Sequence, residues 1–281
     1  MPRIIFVEKA MDYRGTLRSK KRIVIKIGTS SLTFPNGRMN FARIEQLVDV
    51  IATLKKQGKE VVLVSSGSIA VGVSKLGHKK RPTGIPAKQA AAAIGQAVLA
   101  KIYRKFFGVH KMNVGQVLLT YDVITNATKH KNAENTFAKL LEFGAVPIVN
   151  ENDTVATDEI VVGDNDRLSA MVASICKADL LIMLSDIDGF FDSDPRKNPN
   201  AKRIPIVTHV DGDVEAKAGD AGSSFGTGGM STKITAVQIC HKDNIDTIIA
   251  NAEEPQILYN ILNGDDLGTL FVAPGNVGGV E

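Results

Sequence analysis

Phe225-Gly226-Thr227-Gly228-Gly229-Met230-Ser231-Thr232-Lys233 leads directly into Ile234-Thr235-Ala236-Val237-Gln238-Ile239-Cys240, a turn of glycines and hydroxyls opening an apolar run that fits a buried helix. Glycines let backbone N–H groups crowd around an anion, and the helix N-terminus adds partial positive charge. Lys233, in the first turn, adds a full charge. The stretch therefore predicts a phosphate site built on a turn that feeds a packed helix.

The same grammar recurs outward from it. Arg22-Ile23-Val24-Ile25-Lys26-Ile27 is a short β-branched run that predicts a buried parallel strand and ends in Gly28-Thr29-Ser30-Ser31. Lys26 interrupts its apolar residues at the carboxyl end, where open α/β sheets place ligands. Residues 40–57 have helical spacing, with Asn40 as cap and Gly58 as stop. Glu60–Ser65 predicts a second strand that empties into Ser66-Gly67-Ser68. An Ala-rich helix is expected over Pro86–Phe107, strands over Val114–Leu119 and Ala145–Val149, and a helix between them over 132–143. The fourth strand runs out into Asn150-Glu151-Asn152-Asp153-Thr154, whose polar side chains need partners. Residues 154–163 alternate weakly and suggest a hairpin, and Gly163-Asp164-Asn165-Asp166 opens another helix. The strand Asp179–Leu184 ends in Ser185-Asp186, followed by a long polar loop over 187–203 of the kind that tends to be functional. Ile245–Ala250 is a sixth strand, and Gly268–Val272 is expected to close the sheet. Strand and helix alternate throughout, so the fold class is α/β, a three-layer αβα sandwich around a largely parallel open sheet.

Composition excludes several classes. The 281 residues are 44% apolar and 23% charged, an ordinary globular balance, and no run of 18 apolar residues suggests a membrane span. The net charge of +4 is concentrated at the start, where Arg3, Lys9, Arg14, Arg18, Lys20, Lys21 and Arg22 face only Glu8 and Asp12. The remainder is close to neutral, which argues against a body that grips nucleic acid. Residues 1–20 are expected to be a solvated, partly disordered basic leader, neither a signal peptide nor a mitochondrial presequence. Cys176 and Cys240 fall in apolar helical contexts and read as reduced core residues of a cytoplasmic protein. Neither a Walker A motif nor GxGxxG is present, so neither a P-loop NTPase nor a Rossmann dehydrogenase is supported. Two lysines beside phosphate-type turns, with an acid to hold them, suit phosphoryl transfer, which needs positioning and charge neutralisation more than covalent help.

Taken together, VIKIGTSSL, VSSGSIAVG, GQVLLT, VPIVNENDTVAT, GDNDRLSA, LSDIDGFFDSDPRKNP and GTGGMSTK resemble the amino-acid kinase family, in order and over residues 23–250. Within it they are most similar to members that phosphorylate the side-chain carboxylate of L-glutamate to glutamyl 5-phosphate, the first step of proline synthesis. By that resemblance Lys26 and Lys233 would clamp the transferring phosphoryl group and Asp166 would hold both lysines. Ser66, Asp153 and Asn165 would bind glutamate. Lys26, Ser185, Asp186, Thr227, Gly228, Gly229, Met230, Ser231, Thr232 and Lys233 would bind ATP, with the 187–199 loop bordering the adenine and Mg²⁺ accompanying the nucleotide. The part up to about residue 178 would bind glutamate and residues 179–281 ATP, within a single kinase domain over 21–281. Many bacterial members continue into an RNA-binding-like PUA domain, which this chain, ending at Glu281, is expected to lack. The resemblance also implies feedback inhibition by proline and a homo-oligomer, a dimer or tetramer, with no membrane or nucleic-acid partner. A kinase for N-acetylglutamate or aspartate stays open as an alternative, as does a nucleotide-binding sensor without turnover. Such a sensor would be expected to have lost Lys26, Asp166 or Lys233, and all three are present.

Overall fold

The computed structural model describes residues 12–34, 38–78, 82–156, 165–220 and 229–278. The first eleven residues of the leader, most of the suggested hairpin, Asp164 and Phe225–Gly228, including Thr227 and Gly228, lie outside the described residues.

Among the described residues, eight strands form one sheet in the order β3-β4-β2-β1-β5-β7-β8-β6. They are β1 Arg22–Ile27, β2 Glu60–Ser65, β3 Val114–Leu119, β4 Val146–Glu151, β5 Leu180–Ser185, β6 Ile206–Val207, β7 Asp246–Asn251 and β8 Thr269–Phe271. From β3 to β7 every pairing is parallel, and β8 runs antiparallel to β7. The stretch expected to close the sheet does not do so. The two-residue β6, which carries too little sequence to be legible alone, pairs with β8 and forms that edge.

The helices are α1 Thr29–Leu32, α2 Phe41–Lys56, α3 Ser68–Lys75, α4 Ile85–Val109, α5 Ala127–Glu142, α6 Asp166–Ile175, α7 Gly212–Asp220, α8 Met230–Lys242 and α9 Ile257–Leu262. Asn40 caps α2 by accepting from the Arg43 N–H at 3.1 Å, and Gly58 follows it at φ +86°. Helix α5 begins five residues before the expected 132, because Asn126 caps it through the Lys129 N–H. Helix α7 carries too weak an apolar pattern to be anticipated.

Side-chain alternation divides the interior in two. Ile23, Ile25, Ile27, Leu63, Ile148 and Ile182 pack with α2, α4 and α9 on one face. Val24, Val62, Val64, Val149 and Met183 pack with α5, α6 and α8 on the other. The three-layer sandwich is therefore present. Cys176 and Cys240 lie in the second core, where burial pushes both thiols up to about 12, so they stay protonated.

The segment read as a solvated leader differs over residues 12–20. Leu17 is fully buried, and the Arg14 guanidinium donates to the carbonyls of Asp265 (3.0 Å), Leu267 (2.9 Å), Pro205 (2.8 Å) and Gly268 (3.0 Å). Lys20 pairs with the buried Asp246 at 2.6 Å. The Arg14 guanidinium here satisfies carbonyls of the loop before β8 and of Pro205, just before β6, instead of facing solvent.

Candidate active site

The candidate side chains collect where the parallel strands end. Lys26 sits on the central strand between Val64 of β2 and Met183 of β5. Alternation puts it on the face of Val24, toward the layer that holds α6 and α8. There its ammonium meets Asp166 Oδ1 at 2.5 Å, and Lys233 Nζ, from the first turn of α8, meets Oδ2 of the same carboxylate at 3.0 Å. Thr232 Oγ1 lies 3.2 Å from Oδ2 as a further donor. All three charged groups are buried, Asp166 completely. Burial alone would raise the Asp166 pKa, but the Lys26 and Lys233 ammoniums outweigh it and hold the carboxyl well below the usual carboxylate range. The two ammoniums thus lie on the one carboxylate, one on each oxygen. The N-cap of α8 is Gly229, which has no side chain to cover the first N–H groups of the helix at the same place.

A second cluster is neutral in its core. Asn165, immediately before Asp166, donates through Nδ2 to Ser66 Oγ at 2.7 Å and to Asn150 Oδ1 at 2.8 Å. Asn150 Nδ2 in turn donates to Gln96 Oε1 of α4 at 3.0 Å. Asp153 accepts from Ser68 Oγ at 2.9 Å. The turn carrying Ser66 and Ser68 needs Gly67, whose φ of +106° disfavours a side chain. It is held from behind by the contact of α3 with α4: a Cβ on Gly72 would lie 1.8 Å from Ala91 O, and one on Gly95 1.7 Å from Ser68 O.

Ser185 and Asp186 bond to each other at 3.2 Å, and Asp186 pairs with Arg196 of the long loop at 3.0 Å. Phe190 of that loop is a core residue. In the first turn of α8, Met230 is buried, Ser231 is exposed, and the Thr232 hydroxyl is shared with Gly229 O at 2.8 Å. Among the described residues, no three His, Cys, Asp or Glu side chains converge as a metal site. With Asp166 engaged by two lysines, the donor set does not fit a protein-built Mg²⁺ cage. A cation there would be held chiefly by nucleotide phosphates and water.

Gln96, Asn150 and Ser68 were not among the expected site residues. Asn150 and Ser68 stood in polar strings at strand exits. Gln96 gave only the faint signal of a polar residue on the same helical stripe as Ala92, Leu99 and Tyr103.

The pattern of the amino acid kinase family matches residues 21–251, taking in β1 through β7 and both clusters. The chain belongs to the amino acid kinase family. Among relatives in that family, it is 53% identical over 264 residues to the glutamate 5-kinase of Clostridium perfringens, covering 92% of this chain and 98% of that one. To the glutamate 5-kinase of Listeria monocytogenes serovar 1/2a it is 49% identical over 264 residues, covering 92% and 96%. Solved structures share the fold. The carbamate kinase from Giardia lamblia bound to AMP-PNP has a TM-score of 0.63 at 15% identity, covering 91% of this chain and 99% of that one. The UMP kinase from Ureaplasma parvum has a TM-score of 0.60 at 20% identity, covering 90% and 99%.

Proposed function

We propose that this amino acid kinase transfers the terminal phosphoryl group of ATP to the side-chain carboxylate of L-glutamate, giving glutamyl 5-phosphate and ADP, the opening reaction of proline synthesis. One observation carries the reading: two lysines from distant parts of the chain share a single buried carboxylate directly beside a neutral hydroxyl and amide cluster. The relatives named above, about half identical over nearly the whole chain, point to the same acceptor.

The chemistry asks little of a general base. A side-chain carboxylate with a pKa of about 4.3 is already ionised near neutral pH. One of its oxygens attacks the terminal phosphorus, the bond from that phosphorus to the bridging oxygen breaks, and its electron pair leaves with ADP. No proton needs to move. The obstacle is bringing an anion onto a polyanion: two unit charges 4 Å apart repel by roughly 4 kcal/mol at an effective dielectric near 20. Lys26 and Lys233 supply compensating charge, and Asp166 keeps both ammoniums aimed, already desolvated, at the end of the central strand. Thr232 and the first N–H groups of α8 add donors. Ser66, Asn165 and Asp153 hold the amino acid, the hydroxyl and amide meeting its carboxylates and the acid its ammonium. Ser185, Asp186 and the turn from Thr227 to Lys233 hold the nucleotide. Mg²⁺, when bound with ATP, neutralises part of the phosphate charge.

On the same reading proline competes for the Ser66–Asn165 cluster, and the enzyme is a cytoplasmic homo-oligomer. No described helix is long and apolar enough to cross a membrane. The deciding experiment is ATP turnover over a panel of free glutamate, N-acetylglutamate, aspartate and carbamate, trapping the acyl phosphate as its hydroxamate, with and without proline. Glutamate alone should give rapid hydroxamate formation. Faster turnover of another acceptor would overturn the assignment.

A further inference from the structure

Helix α4 buries Gly95, Leu99, Tyr103 and Phe107 along one stripe, and of these only Tyr103 carries a polar atom in its side chain. A fully buried hydroxyl is costly unless it finds a partner. The partner of Tyr103 is Ser65 Oγ, 2.7 Å away on the last residue of β2. Ser65 is itself buried and follows Leu63 into this layer by alternation. Its hydroxyl also lies 3.3 Å from the Ser66 carbonyl. A carbonyl can only accept, so the one Ser65 proton goes there and Tyr103 donates to Ser65. Burial pushes the Tyr103 hydroxyl up to about 12, so near neutral pH it keeps the proton that this requires.

Resting on the glutamate reading above, we propose that Tyr103 is a positioning residue for the acceptor: its hydroxyl, through Ser65, holds the turn Ser66-Gly67-Ser68 in the arrangement that receives the amino acid. The turn is adaptable at its centre, because Gly67 at φ +106° has no Cβ to narrow its choice of conformation. Its arrangement therefore has to be fixed by what lies around it. The Ser66 N–H donates to the carbonyl of Ile27 at 3.2 Å, one residue past Lys26, so any shift of the turn also moves Ser66 relative to the charged cluster. Helix α4 meets the turn at both ends. At Ser68 the contact is steric, a Cβ on Gly95 falling 1.7 Å from Ser68 O, and it limits approach without setting a direction. At Ser65 the contact is a hydrogen bond, which does set one. A phenyl ring at position 103 would fill the same space and leave the Ser65 hydroxyl, only 2% exposed, without its donor.

Tyr103→Phe removes one oxygen and keeps the ring, so it separates this role from packing. In the unliganded variant the turn loses a restraint, and glutamate binds only the fraction of molecules that still holds the competent arrangement. The KM for glutamate should rise by about fivefold, the ceiling set by one net hydrogen bond. The KM for ATP and kcat at saturating glutamate should stay close to those of the parent. Ser65→Ala removes the other end of the same bond, so the double variant should be no worse than Ser65→Ala alone. A thermal midpoint that falls while both KM values hold, a rise shared equally by both substrates, or additive losses in the double variant each overturn the proposal. The clamp is also readable without substrate, by hydrogen exchange. The Ser66 amide should exchange faster in Tyr103→Phe while amides in the middle of β2 keep their protection. An unchanged Ser66 amide overturns the clamp even if glutamate turns over. A parent enzyme that phosphorylates another carboxylate in place of glutamate, with the same KM split for that acceptor in Tyr103→Phe, would instead overturn the glutamate reading and leave the clamp standing.

Discussion

Asp166 lies between two ammonium groups, while Asn165, its neighbour in the chain, lies among hydroxyls and amides. The first cluster hangs in the layer of α6 and α8; the second is braced from the opposite layer by α4. They work by different physics. Charges act over distance and tolerate small misalignments, so Lys26, Lys233 and Asp166 can present a field to a migrating phosphoryl group as soon as they are desolvated together. Amides and hydroxyls act only along their bonds, so on the proposed reading Ser66, Asn150 and Asn165 discriminate by direction. On that reading, one site both neutralises a polyanion and chooses one amino acid, with the two devices side by side, joined by a single peptide bond at the start of α6.

The sharpest way to break this contrast is to remove the shared carboxylate. Asp166→Asn removes the carboxylate that both buried ammoniums share and should cost about 3–5 kcal/mol of stability at neutral pH, as measured by denaturant unfolding. The same variant tests the acid side. The folded state holds this carboxyl below its ordinary value of 3.8. Its contribution is therefore complete above that value and is lost as pH falls below it toward the depressed folded value. The parent should weaken over that range by more than Asp166→Asn does; parallel pH profiles would show that the ion pairs contribute nothing.

Next in size, Lys26→Ala and Lys233→Ala should each lower kcat by ~100-fold or more with little change in the KM for glutamate, the pattern of a lost transition-state charge partner. Near-normal turnover in either would detach the charged cluster from the transfer step. Arg14→Ala, far in sequence from both clusters, should lower stability by about 2 kcal/mol through its lost carbonyl bonds while leaving both KM values in place. A change in substrate affinity there would mean that the N-terminal segment is coupled to the site. The smallest effect is expected for Ser66→Ala, a rise of about tenfold in the KM for glutamate with that for ATP unmoved. If both rise together, the two clusters are not separable.

Much of this was legible in the residues. Apolar β-branched runs ending in small polar turns marked the strands β1, β2, β4, β5 and β7 and the sheet edge where ligands gather. Lys26 and Lys233 stood out because charge is unusual at those places. The elements that escaped notice were the weakest in pattern: β6, with two residues; α7; and the start of α5, set by the cap at Asn126. The basic stretch over residues 12–20 misled because charge ordinarily favours water, whereas Arg14 found a ring of loop carbonyls.

What the sequence determined by itself was local: which segments alternate, where glycines open helices, and which residue types were on hand for phosphate and carboxylate. The tertiary structure alone decided who meets whom. Residues 26, 166 and 233 converge because β1 is central in the sheet and α6 and α8 lie together on the face that Lys26 points toward. Gln96 reaches Asn150 because α4 packs on the face of the sheet that Ile148 and Asn150 share. Both meetings depend on strand order and on close approach between helices, and contacts between residues so far apart in the chain leave no periodic trace in it.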